Sequence, residues 1–277
     1  MNLLDGLRVV STALNLPGPV ACARLRELGA SVTKIEPPGG DPLETYCPAW
    51  YRSLHRDTLV RRIDLKDDAG RTLMHALLAG ADVLVTAQRA AALERMGLGH
   101  DVLAARHPRL CHVAITGHGS PNEAVAGHDL TYLAREGLVH PPAMPATLFA
   151  DMAGAERAVS AALAMLLARS RDGRGRMRVT ALEDAARALA QPRREGLTGR
   201  GTLLGGALPG YNLYETRAGW IAVAALEPHF AHRLAVELGL PTLTVDALRQ
   251  CFATRDAEHW EAWARERDLP LVALQAP

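Results

Sequence analysis

Lysine is nearly missing from this sequence: Lys34 and Lys66 stand alone, and arginine supplies the rest of the 31 basic residues. Guanidinium groups suit planar contacts to phosphate and carboxylate, although such a bias assigns no ligand by itself. No charge of either sign prevails, since 30 acidic residues leave a formal net charge of +1. That balance excludes the electrostatic footprint of a nucleic-acid groove or an anionic membrane surface, and a small-molecule ligand becomes the expectation. Cysteine is sparse. Cys22, Cys47, Cys111 and Cys251 form no CxxC pair, which excludes a zinc knuckle and a disulfide framework in a chain of 277 residues. A reducing cytoplasm fits that usage. The amino terminus has no basic region ahead of an apolar stretch, and the most apolar later run, residues 158–167, is too short to span a bilayer. Neither export nor a membrane span is expected.

Common signatures are absent too: GxGxxG after a strand, GxxxxGK[ST], HExxH and GxSxG. Standard nucleotide, zinc-protease and serine-hydrolase readings fall with them. His229 and His232 stand at i and i+3, but no third ligand lies at a useful spacing, so they read as surface histidines and no metal site is expected.

What is present is a hydrophobic content of 48%, enough for one or two ordinary cores. The first third alternates short β-branched runs with alanine- and leucine-rich helical stretches, the pattern of a parallel sheet with helices packed on it. Residues 7–12 read as strand. The segment Asn15, Leu16, Pro17, Gly18, Pro19 opens a helix through Leu28, and Gly29 closes it before a strand over residues 30–36. Further strands are predicted over 82–86 and 111–116, with helices near 71–79 and 101–107 between them. Residues 151–170 are small or apolar on every side and predict a buried helix. The arginine- and glycine-rich residues 169–178, and the looser 191–201, read as exposed connections, the second a domain boundary. Residues 211–216 and 220–225 flank a turn at Arg217, Ala218 and Gly219, a hairpin feeding a helix after Pro228.

Three segments carry candidate chemistry. In Gly127-His128-Asp129, His128 is a candidate general base, against a plainer reading in which Asp129 caps the next helix. Asp151 stands at the start of the long helix, where it reads as an N-cap or as a carboxylate facing a reacting group. Glu227, before Pro228, ends the hairpin's apolar strand, either as first-turn charge or as the partner that fixes a histidine's tautomer.

With these segments in place, the sequence resembles the class III, or CaiB/BaiF, CoA-transferase family, and within it the α-methylacyl-CoA racemase branch. The match runs nearly end to end, through LLDGLRVVSTALNLPGP, LRELGASVTKIEPPGGDP, LAGADVLVTAQRAAALERMGLG, AGHDLTYLA, FADMAGAERAVSAALAML and GGALPGYNLYETRAGWIAVAALEPHF. The resemblance implies an α/β protein with a Rossmann-like, CoA-binding large domain over 1–190 and a smaller α+β domain over 191–277. The family adds a return segment where this sequence ends. Two chains are implied to interlock as a homodimer. The carried-over roles make His128 and Asp151 the two acid/base groups, Glu227 the hydrogen-bond partner of the histidine, and Arg56, Arg89 and Arg95 contacts to the CoA phosphates. The implied substrate is an acyl-CoA, with no cofactor beyond its CoA moiety. α-Proton abstraction through an enolate is the implied reaction, with backbone amides at the helix start stabilising the enolate oxygen. The other branch of the family implies CoA transfer through an aspartyl intermediate on Asp151, and a third reading is a catalytically weak CoA-binding protein. Departures from the family pattern include Arg89-Ala90-Ala91 for Arg-Pro-Gly, Thr116-Gly117-His118-Gly119 in the following loop, and Glu156 beside Arg157 where a bound acyl chain is expected to pass.

Overall fold

The computed structural model describes residues 2–275, which fall into two compact units divided between Ala190 and Gln191. The first unit runs β1 (Arg8–Ser11), α1 (Pro17–Glu27), β2 (Ser31–Glu36), α2 (Pro42–Tyr46), α3 (Pro48–Leu54), β3 (Leu59–Arg62) and α4 (Asp68–Leu78). It continues with β4 (Val83–Thr86), α5 (Ala90–Arg95), α6 (His100–Arg106), β5 (Cys111–Thr116), α7 (Asp129–Arg135), α8 (Phe149–Asp172), β6 (Met177–Ala181) and α9 (Leu182–Leu189). All six strands are parallel, in the order β3-β2-β1-β4-β5-β6. The chain therefore reverses its direction of winding between β1 and β4, which opens a crevice at the carboxyl ends of those two strands.

Alternation along the strands explains the two helical layers. Val9, Val83, Val85, Val113 and Ile115 pack on one face with residues of α1 and α8. Val10, Ile35 and Leu84 point the other way, onto Met74, Leu78, Leu93 and Leu103. Strands expected from the β-branched runs are present within a residue or two. β3 and β6 were not among the expected strands: both lie at the edges of the sheet, and β6 begins inside the arginine-rich stretch read as a connection.

Two expectations are corrected. Residues 169–178 are no simple connection: α8 extends to Asp172, Gly173 ends it at φ 74°, and β6 begins at Met177. Arg169 there is largely buried, bridging to Asp82 at 2.8 Å and donating to the Arg109 carbonyl at 3.1 Å. Nor is α8 buried all round. Only the stripe Ala150, Gly154, Ala155, Ala158, Val159, Ala162 and Met165 is covered, while Glu156 and Arg157 are exposed. Gly154 lets α9 approach, since a Cβ there would lie 2.3 Å from a Leu182 methyl.

In the second unit, α10 (Gln191–Arg194) leads to β7 (Tyr211–Glu215) and β8 (Trp220–Ala224), which pair antiparallel from Glu215↔Trp220 around Gly219 at φ 87°. Helices α11 (Pro228–Glu237), α12 (Val245–Phe252) and α13 (Ala257–Glu266) follow, and β9 (Leu271–Ala273) adds a third antiparallel strand. Phe252 and Trp260 meet edge-on in its core, with ring centroids 5.1 Å apart.

A buried ionic cluster fixes the loops beyond β2. Lys34, 2% exposed, binds Asp41, lies 3.3 Å from Glu36 and contacts His55 Nε2 at 2.9 Å, and Tyr51 donates to Glu36 at 2.8 Å. Lys34 is the buried cation shared by both carboxylates, with exposed Arg62 3.8 Å from Glu36 on its outer side. Lys34→Met should therefore destabilise the chain by about 3–5 kcal/mol in urea unfolding, because it leaves buried Asp41 without a counter-charge and Glu36 with only the more distant Arg62.

Candidate active site

At the crevice between β1 and β4, a cavity of about 700 Å³ opens at the carboxyl ends of the strands. Its walls come from the loop after β1 (Asn15 to Pro17), the end of β4 (Gln88), the end of β5 (Gly117), the start of α7 (His128 and Asp129) and the first turn of α8 (Asp151). His128 and Asp151, 23 positions apart in sequence, thus face one space.

Helix starts hold both groups, though not as the sequence implied. His128 occupies the residue before α7, with extended backbone, and its N–H donates to Thr131 Oγ1 at 3.0 Å. Its side chain is exposed to the cavity. Asp129 does not cap α7. Only 3% exposed, it turns to α8 and accepts the Asp151 N–H at 2.9 Å as well as the Ala150 amide. Asp151 in turn is not the N-cap of α8, because the helix starts at Phe149 and places Asp151 in its third position. With the cap supplied by Asp129, the Asp151 carboxyl is free for the cavity.

Electrostatics follow from that arrangement. Burial, and then the negative charge of Asp129, push the Asp151 carboxyl up to about 7 from an ordinary carboxylate value. The α8 amino terminus works the other way by roughly 1 kcal/mol or less, too little to restore ordinary acidity. Burial also raises Asp129 itself, against the lowering effect of the two amides it accepts. Tyr132, beside them, is pushed up to about 12, first by burial and then by the charge of Asp151. The glycine of the GHD segment is explained by the same tyrosine. A Cβ on Gly127 would lie 2.5 Å from its ring, and one on Gly117 would lie 2.4 Å from its hydroxyl.

The remaining sequence candidates are dispersed. Arg89 stands just before α5 and lines an adjoining cavity of about 240 Å³ together with Gly117 and His128. Arg56, after α3, and Arg95, in the last turn of α5, are exposed and line neither cavity. Glu227 belongs to the second unit, exposed at the residue before α11, with no capping bond from its side chain. Neither Glu156 nor Arg157 lines this cavity. Glu156 bridges to Arg24 at 3.1 Å and Arg157 donates to the Asp184 carbonyl at 3.3 Å. His118, in the altered loop, is buried and bound to Glu183 at 2.7 Å behind the Gly117 wall. His229 and His232 are exposed, as read.

The raised Asp151 carboxyl carries a stability consequence. The native chain keeps a proton that the unfolded chain has released, so this group favours folding at acid pH. Its contribution is lost as pH rises from the ordinary carboxylate value toward about 7. Asp151→Asn should remove that slope, seen as a urea midpoint that changes less between about pH 5 and about pH 8 than the parent's. Asp129→Asn, which keeps an acceptor for the α8 amides but not the charge, should move the Asp151 titration to lower pH in a carboxyl NMR titration.

The description CoA-transferase family III matches residues 4–277 of the chain. The α-methylacyl-CoA racemase of Mus musculus is 31% identical over 256 residues, covering 86% of this chain and 65% of that protein. The succinyl-CoA:glutarate CoA-transferase of the same organism is 30% identical over 249 residues, covering 81% and 57% respectively. The chain thus spans a little under two thirds of the length of these curated relatives. A CaiB/BaiF family protein from Brucella suis superposes with a TM-score of 0.84 at 24% identity, over 99% of this chain and 84% of that one, and shares the fold. With the family description matched along the chain and the racemase related over most of it, this protein belongs to CoA-transferase family III.

Proposed function

We propose that the chain acts on a 2-methylacyl-CoA thioester as a racemase or epimerase, with His128 and Asp151 exchanging the α-proton on opposite faces of an enolate. One observation carries the choice: Asp151 shares its cavity with an imidazole and has its carboxyl raised to about 7. A carboxyl titrating there both takes and returns a proton near neutrality, and imidazole is the side chain that ordinarily does the same. An aspartyl nucleophile, by contrast, works best as a fully ionised carboxylate. In the forward direction one group removes the α-proton, the C–H electron pair becomes the enolate double bond, and the thioester carbonyl pair moves onto oxygen. The other group then protonates the opposite face, and the enzyme ends with its two protonation states exchanged. In this reading Glu227 orients His128, Arg89 contacts the CoA phosphates, and the working form is a homodimer. Relatives at about 30% identity include both a racemase and a CoA-transferase, so the test must separate the two reactions.

Either epimer of a 2-methylacyl-CoA incubated in D₂O should gain deuterium at the α-carbon and converge on one mixture. His128→Ala should lower exchange from at least one epimer by about 10²–10⁴-fold with CoA binding kept, and Glu227→Gln should slow it less. A hydroxylamine-sensitive adduct on Asp151 without deuterium uptake would assign the transferase reaction instead. Calorimetry with CoA alone should show weaker binding at high salt, and Arg89→Ala should weaken it more than Arg194→Ala.

A further inference from the structure

An enolate oxygen needs a hydrogen-bond donor in a water-poor site, and helix starts are the ordinary place to find one in a sheet of this type. At α8 and α1 most of the first amides are committed or missing. At α8, the Ala150 and Asp151 amides are taken by Asp129, and the Met152 amide bonds the Leu148 carbonyl at 3.0 Å. The backbone amides expected from sequence to hold the oxyanion are therefore occupied. At α1, Pro17 and Pro19 have no amide to offer, and the Val20 amide bonds the Leu16 carbonyl at 2.9 Å.

Side chains on the cavity wall are the other source of a donor. Gln88 lines the cavity but is tied at both ends to Thr12, donating to its carbonyl at 2.6 Å and accepting its hydroxyl at 2.8 Å. The Thr116 hydroxyl is sealed from solvent, and Tyr132 is 2% exposed with its hydroxyl held against Gly117 and Gly127. Asn15 is different. It is exposed on the cavity wall in the left-handed region at φ 65°, and its backbone N–H is anchored on Asp41 Oδ1 at 3.0 Å. Asp41 is itself held by buried Lys34. The Tyr46 hydroxyl donates to Asn15 Oδ1 at 2.8 Å, which orients the carboxamide and leaves Nδ2 without a protein partner among the described residues. An asparagine chosen merely for its tolerance of a left-handed turn would not need its side chain oriented by a tyrosine.

We propose that the Asn15 carboxamide, positioned by Tyr46 and Asp41, donates from Nδ2 to the thioester oxygen as negative charge develops there. The inference rests on the acyl-CoA reading above. No covalent bond to Asn15 forms or breaks: the α-proton goes to the acid/base group, the C–H pair forms the enolate double bond, the carbonyl pair moves onto oxygen, and Asn15 only hydrogen-bonds the enolate until it is reprotonated at carbon.

Acetoacetyl-CoA, whose enolate absorbs in the near ultraviolet, reads this without turnover. The parent should raise the enolate-to-keto ratio of the bound ligand. Asn15→Gly, which accepts the same φ, and Asn15→Asp, which keeps the shape but not the donor, should lower that ratio by about 100-fold. CoA affinity should stay within about twofold for the glycine variant. Tyr46→Phe should give a smaller loss that adds nothing to Asn15→Gly. An Asn15→Gly variant matching the parent, or a loss confined to Tyr132→Phe, overturns the role of Asn15 and leaves the acyl-CoA reading intact. A parent that binds acetoacetyl-CoA without raising the ratio also overturns it, and one that does not bind the thioester overturns both.

Discussion

Asp129 accepts the first amides of α8, and the chemistry of the cavity depends on that contact. A helix of 24 residues presents partial positive charge at its start, and some acceptor must meet the unpaired N–H groups there. Were the Asp151 side chain that acceptor, its carboxyl would be hydrogen-bonded in the ionised form and strongly acidic. Asp129 takes the task instead, arriving from the start of α7, and leaves Asp151 desolvated next to a second carboxylate. One contact thus joins α7 to α8, satisfies the helix and tunes the neighbouring acid.

The same contact explains why the His-Asp pair is adjacent in sequence. His128 and Asp129 are consecutive at a helix start, and the extended backbone there sends their side chains to different places. The histidine faces the cavity while the aspartate is buried against α8. Gly127 is needed just before them because the Tyr132 ring occupies the volume a Cβ would fill.

On the other wall, the cavity is held by a network that has no chemistry of its own. Lys34 and Glu36 of β2 and Asp41 after it form a cluster that would be costly to bury unpaired, and Asp41 carries the Asn15 backbone on its second oxygen. Stability at the carboxyl end of β2 and geometry of the β1 loop are therefore linked through one aspartate.

Alternation and punctuation in the sequence determined the parallel sheet, since β-branched runs separated by helical stretches have few other solutions. The hairpin around Gly219 was equally legible, and the segments holding His128 and Asp151 were recognisable as candidates. The edge strands β3 and β6 were not, because an edge strand carries charge outward and loses the alternation that marks a buried one. The sequence also could not tell which aspartate caps which helix. Asp129 and Asp151 each precede or begin a helical run, and local propensity rates both as caps. Only tertiary packing decided it, by placing the start of α7 against the start of α8, so that one carboxylate meets amides 22 positions away and the other is left to face the cavity. The paths of Glu156 and Arg157 were set in the same way, since the face a helical side chain takes is fixed by the stripe its neighbours bury.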